Sequence, residues 1–115
     1  MGYAMPDQTT SGIHTRLRSR VFIVDDGGKR VVFISNDICF TSEALKVTVV
    51  DRLQAIFGNM YTHANVMISG THTHAGPGGY SWYAATSTPL LTCRHPMYDI
   101  STLGFQEKSF EVIVS

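Results

Sequence analysis

The sequence has no long apolar run, no excess of charge of either sign and only two cysteines, and each shortage removes a class of protein. No stretch approaches the roughly 18 consecutive apolar residues that a membrane-spanning helix requires. Nine acidic residues against nine basic ones leave a formal net charge of zero. An electrostatic nucleic-acid binder carries a basic stripe, so nucleic acid is not an expected partner. Cys39 and Cys93 lie too far apart in sequence for a CxxC redox or zinc motif. Cys39 has apolar neighbours and reads as a buried thiol, with a single Cys39–Cys93 disulfide as the alternative. The opening Met1-Gly2-Tyr3-Ala4-Met5-Pro6 has neither the basic nor the apolar region of a signal peptide. Pro6 also stands where a myristoylation motif needs Ser or Thr.

What is present is globular. With 43% hydrophobic and 16% charged residues over 115 positions, the composition suits one small domain and is unlike a disordered tail. Residues 1 to 15 are polar and punctuated by Gly and Pro, so they read as loop. Two β-branched runs follow, Val21 to Val24 and Val31 to Ile34, separated by Asp25-Asp26-Gly27-Gly28. Those residues supply the positive φ angles of a tight reversal, and a β-hairpin is expected. The second run is apolar at consecutive positions, as in a strand covered on both faces.

From Thr41 the period changes. Leu45, Val49, Leu53 and Ile56 recur at helical spacing. Thr41 or Ser42 can cap the first turn, and Gly58 can end the last. Asn65 to Ser69 then predicts another strand. Strand, helix, strand at these lengths is a βαβ crossover, so segments 31–35 and 65–69 are expected to be parallel neighbours. Residues 81 to 96 have no clean period. A short helix, a break at Gly104 and a helix capped by Ser109 are expected beyond them. The fold class is therefore α/β: a β-hairpin followed by a βαβ unit, part of a larger mixed-sheet catalytic domain.

Ligands of open α/β sheets bind beyond the carboxyl ends of the strands. "SGTHTHAGPGGY" begins where the strand over 65–69 ends, and "NDICF" begins where the strand over 31–35 ends. Asp37, His72 and His74 should thus emerge at one edge of the sheet. Histidines two apart in extended chain project to one face and can share a metal or a substrate. Hydrogen-bonded loop histidines are the plainer reading of the same spacing, and Asp37 can equally be a turn former. His14, His63 and His95 read as exposed or structural. Tyr80, Trp82 and Tyr83 either line an acyl pocket or pack against the glycine-rich turn. Among HxH enzymes, metallo-β-lactamase-like hydrolases continue into Asp-His, where this sequence has Gly76-Pro77. Amidohydrolase barrels carry the motif on their first strand. Neither pattern fits.

The ordered string "MGYA", "GIHTRLRSRVFIVDD", "DRLQAIFGNMY" and "NVMISGTHTHAGPGGY" resembles the neutral ceramidase family, continuously over residues 1 to 80 and again at "MYDISTLGF" and "SFEVIV". That resemblance implies a zinc amidase that cleaves ceramide into sphingosine and a fatty acid. By position it implies His72 as a Zn2+ ligand, His74 as the catalytic histidine that hydrogen-bonds the reacting amide, and Gly2 as a residue lining the substrate entrance. The family completes its zinc site with a later histidine, a glutamate and a tyrosine. Residues 1–115 are accordingly expected to be an N-terminal fragment of such a catalytic domain, inactive alone. Residues 81–96 occupy a place where the family has only a few residues, an insertion or a gene-model error. The resemblance also implies a secretory or extracellular protein, with ceramide and a membrane surface as its partners. A truncated non-catalytic product and a different HxH metallohydrolase are the alternatives.

Overall fold

The computed structural model describes residues 11–80 and 106–115. Three strands form one mixed sheet in the order β1-β2-β3: β1 (Ser19–Asp25), β2 (Arg30–Asn36) and β3 (Val66–Gly70). β1 and β2 are antiparallel, with Phe22 opposite Phe33. β2 and β3 are parallel, with Ile34 beside Ile68. Helix α1 (Glu43–Phe57) makes the crossover between them, and α2 (Glu107–Val114) packs against α1. The α/β hairpin-plus-βαβ arrangement thus stands as expected, with β1 and β2 running past the expected segments at both ends and β3 shifted one residue along, to 66–70.

The hairpin turn is held by its own carboxylates. Gly27 N–H donates to Asp25 Oδ1 at 2.8 Å, and Gly28 and Lys29 N–H donate to Asp26 Oδ1 at 2.9 and 2.6 Å. Gly27 takes φ +88°, a conformation costly for any residue with a Cβ. These amide donors hold both carboxyls below the usual carboxylate range, Asp25 with further help from Arg30.

α1 begins where Ser42 Oγ accepts from Leu45 N–H at 3.3 Å, so Ser42 rather than Thr41 is the cap. It ends at Gly58, φ 62°. Its inward face is Leu45 and Val50, with Val49 and Leu53 partly covered; Ile56 is exposed. One apolar cluster, Val32, Val50 and Val66, joins the helix to the sheet. A second, Ile38, Leu45, Tyr80, Phe110 and Val114, lies under the loops at the carboxyl end of the strands.

Two expectations need correction. β2 is buried on one face only among the described residues: Val32 is 3% exposed, but its neighbour Val31 is 51% exposed. Val50 and Leu53 of α1 cover the Val32–Ile34 side, leaving Phe22, Phe33 and Met67 on an open side. And Ser109 does not cap α2. The helix starts at Glu107 with Gln106 at its cap position, because Gln106 N–H is bonded to Gly79 O at 2.7 Å and Phe110 and Val114 must face the core. Gly2 and residues 81–96 lie outside the described residues.

Candidate metal centre

Asn36 ends β2 and Gly70 ends β3, side by side in a parallel pair, so the loops after both strands leave the same edge. Backbone bonds then stitch the loops together: Thr71 N–H donates to Asn36 O at 2.9 Å and His72 N–H to Ile38 O at 3.1 Å. Gly70 permits this approach. A Cβ there would sit 2.8 Å from Ile38 O, closer than real Cβ atoms come, and a tight 3.1 Å from Cys39 O. Gly76 serves the following turn in the same way, with Asp37 O only 3.3 Å from where its Cβ would be.

Tyr80 anchors the assembly from below. It is 1% exposed, and its hydroxyl donates to Phe40 O at 3.1 Å and accepts from Phe40 N–H at 3.2 Å. Both backbone groups of Phe40 are therefore tied to the residue that closes the histidine loop. Its ring packs tilted against the Phe40 ring at 5.5 Å. Tyr80 is a packing residue; Trp82 and Tyr83 lie outside the described residues.

On this platform His72 and His74 converge. Their rings meet edge to face at 5.0 Å, and the two Nε2 atoms are 3.4 Å apart. His72 holds φ 65°, the left-handed conformation that few non-glycine residues adopt, and it turns the ring back over the β2 loop. There its Nδ1 lies 3.2 Å from Cys39 O. With the proton on Nδ1, His72 donates to that carbonyl and presents the Nε2 lone pair to the centre. Metal-binding histidines are characteristically oriented by this kind of backbone bond. The Cys39 thiol, buried as expected from its neighbours, lies 3.9 Å from His72 Nδ1 and 3.9 Å from His74 Nε2. Among the described residues these three are the one group of His, Cys, Asp and Glu donors gathered tightly enough for a metal ion, within 4.8 Å of one another.

Asp37 belongs to the same edge but not to this cluster. Arg20 donates to its two oxygens at 2.8 and 3.3 Å, and Arg18 N–H adds a third bond at 2.9 Å. The Arg20 guanidinium, then the Arg18 amide, holds this carboxyl below the usual carboxylate range. Asp37 thus clasps the β2 loop to β1. His14 and His63 lie outside the cluster, and His95 lies outside the described residues. Sequence reasoning placed the histidines but missed Cys39 as their neighbour. Cys39 is two residues past Asp37, on the loop already assigned to the site, but its approach to the histidines depends on the closure of two loops far apart in sequence.

Imidazole nitrogens suit zinc, copper, nickel and iron better than they suit magnesium or calcium, which take oxygen ligands. Zn–N bonds of about 2.0–2.1 Å at a tetrahedral centre put two nitrogens about 3.4 Å apart. At 3.4 Å the His72 and His74 Nε2 atoms are near enough for one ion to take both, or for His72 to hold it while His74 hydrogen-bonds a group beside it.

Comparison with known proteins gives the family. Residues 1–115 match the family described as neutral/alkaline non-lysosomal ceramidase, N-terminal. Neutral ceramidase A of Dictyostelium discoideum is 47% identical over 115 residues, covering 98% of this chain and 14% of that protein. Neutral ceramidase 1 of Arabidopsis thaliana is 48% identical over 115 residues, 99% of this chain and 13% of that one. The crystal structure of neutral ceramidase from Pseudomonas aeruginosa matches with a TM-score of 0.81 at 40% identity, over 99% of this chain and 16% of that one. The chain therefore spans less than a fifth of the length of each of these relatives. With a family match along all 115 residues and a shared fold at 40% identity, the chain belongs to the neutral/alkaline non-lysosomal ceramidase family.

Proposed function

We propose that the whole protein to which this chain corresponds is a zinc-dependent amidase that hydrolyses the N-acyl bond of ceramide to sphingosine and a free fatty acid. One observation carries the reading: two imidazoles converge at 3.4 Å beyond the carboxyl ends of parallel strands, in a family whose relatives are neutral ceramidases. His72 would hold the ion through Nε2, and further ligands come from outside this pair. Bound there, zinc supplies Lewis acidity at the amide carbonyl and lowers the pKa of water toward neutrality. His74 hydrogen-bonds the amide and the charge that develops on its oxygen. Gly2 lines the substrate entrance. Passage through the secretory pathway and action at a membrane surface belong to the same reading.

The test is a pair of substitutions in the full-length protein. His72→Ala removes zinc, read by metal analysis, and ceramide hydrolysis with it. His74→Ala keeps the zinc and lowers kcat by about 100- to 1000-fold, the effect of losing one preorganised donor. Zinc loss in His74→Ala would make His74 a ligand, and normal zinc and turnover in His72→Ala would end the reading.

A second reading is favoured by the open sheet face. Phe22, Val31 and Met67 are each more than half exposed, more apolar surface than a stable independent domain usually leaves in one patch. On that reading the 115-residue polypeptide is a non-catalytic product that binds neither zinc nor ceramide. Zinc retained by the 115-residue polypeptide after gel filtration would exclude it.

A further inference from the structure

His72 Nδ1 lies 3.2 Å from Cys39 O, and a carbonyl oxygen offers only lone pairs. That nitrogen therefore carries the proton, and in the neutral ring Nε2 is then the acceptor. His74 Nε2 lies 3.4 Å from it. Two lone pairs or two N–H groups would repel at that distance, so His74 Nε2 is the donor. The contacts thus form a directed chain. His74 Nε2–H donates to His72 Nε2, and His72 Nδ1–H donates to Cys39 O. The chain is anchored on a backbone group, and the left-handed φ of 65° at His72 keeps the ring over it.

An imidazole acceptor nitrogen has one lone pair, in the plane of its ring. The lone pair that accepts from His74 is the one through which His72 would hold zinc, so the two uses exclude each other. Nor can an N–H point at a cation. Once His72 holds an ion, the His74 N–H has to turn to another acceptor. The Cys39 sulfur, 3.9 Å from the same nitrogen, is a weak one. The oxygen of a reacting amide is stronger.

We propose that His74 competes with the metal for His72 Nε2, and that occupation of His72 redirects the His74 Nε2–H to the oxygen of the reacting amide. The competition divides the roles of two histidines that stand close enough for one ion to take both. His72 is the ligand because the Cys39 carbonyl keeps its proton on Nδ1. His74 is the donor because its own proton stays on Nε2. This rests on the reading of His72 as the zinc ligand and His74 as the catalytic histidine, and the experiment separates the two statements.

Zinc affinity of the full-length protein is measured by competition with a chelator, for the unsubstituted, His74→Ala and His72→Ala forms, with folding checked by circular dichroism. The competitor removed by His74→Ala is one neutral hydrogen bond, so zinc should bind about 2- to 10-fold more tightly. Unchanged affinity in His74→Ala would overturn the competition and leave the ceramidase reading standing. Weaker binding would overturn it by making His74 a second ligand. Undiminished affinity in His72→Ala would overturn it together with the reading of His72. Should His74→Ala misfold, neutron diffraction from the unsubstituted full-length protein decides. The expected result is a deuteron on His72 Nδ1 and one on His74 Nε2 in metal-free crystals, the second turned away from His72 once zinc is bound. A deuteron on His72 Nε2, or none on His74 Nε2, would overturn the proposal.

Discussion

At the hairpin end of the sheet the turn carboxylates reach donors two to five residues away, and all of them but Arg30 are exposed. At the opposite end the linking contacts run between residues 33 to 40 apart, with Tyr80 and Cys39 buried. One end is local and electrostatic, formed by any chain carrying Asp25-Asp26-Gly27-Gly28. The other exists only once β2, α1 and β3 are all in place. The difference separates what shapes the fold from what shapes the site: changes at the hairpin should alter stability and spare the metal, whereas changes at the loop end should alter both.

The largest effect is expected at Tyr80. Tyr80→Ala empties the centre of the second apolar cluster and should cost about 3–5 kcal/mol in denaturant unfolding. Tyr80→Phe keeps the ring but strips the hydroxyl from both backbone groups of Phe40, for about 1–3 kcal/mol. In each, zinc affinity should fall alongside stability. Tyr80→Phe with unchanged zinc affinity would show that the Phe40 bonds do not hold the Cys39 loop in place.

Gly70→Ala comes next. The added methyl meets Ile38 O at 2.8 Å, and backbone gives way less readily than a side-chain tip. Overpacking of this kind costs about 1–3 kcal/mol, and here the strain falls on the stitch between the two site loops. Weaker zinc binding at a modest change in melting temperature is the expected outcome. Gly27→Ala is its counterpart at the hairpin end. Forcing a Cβ into φ +88° should cost about 1–2 kcal/mol with zinc affinity intact. If Gly27→Ala weakened zinc binding as much as Gly70→Ala, the two ends would not be independent and the contrast would collapse.

The same division explains what could be read from the residues in order. The hairpin, a helix start at Thr41 or Ser42 and its stop at Gly58 rest on short-range patterns, and the parallel partnership of β2 with β3 on the crossover rule; the fold contains them, with Ser42 as the cap. The placement of His72 and His74 at one edge followed from the crossover rule alone. Three features were not legible, each for a non-local reason. Cys39 meets the histidines only because Gly70 lets the loops close. The start of α2 is set by a bond from Gln106 to Gly79 across the intervening chain. The open face of β2 depends on which layers cover it, and an apolar run is the same string whether covered once or twice.

The smallest effect is the pH dependence of the two ends. Asp25 and Asp26 at the turn, and Asp37 at the loop end, all have carboxyls held below the usual range, the turn pair chiefly by backbone amides and Asp37 chiefly by Arg20. A carboxyl whose pKa is lower folded than unfolded binds its proton more weakly in the folded state. Its contribution to stability is therefore fully present above the unfolded value and is lost as pH falls through the folded one. Both ends should loosen under acid and neither near neutrality. Salt tells them apart. Arg20 and Asp37 are a partly exposed ion pair, with side chains 47% and 19% exposed, so added salt screens their attraction. The Asp26 bonds are to neutral amides only, which ionic strength affects far less. Carboxyl NMR titrations at low and high salt should show the Asp37 midpoint rising toward the ordinary value while that of Asp26 stays. An Asp37 midpoint that ignored salt would mean the clasp on the β2 loop is made by the Arg18 amide, with Arg20 a bystander.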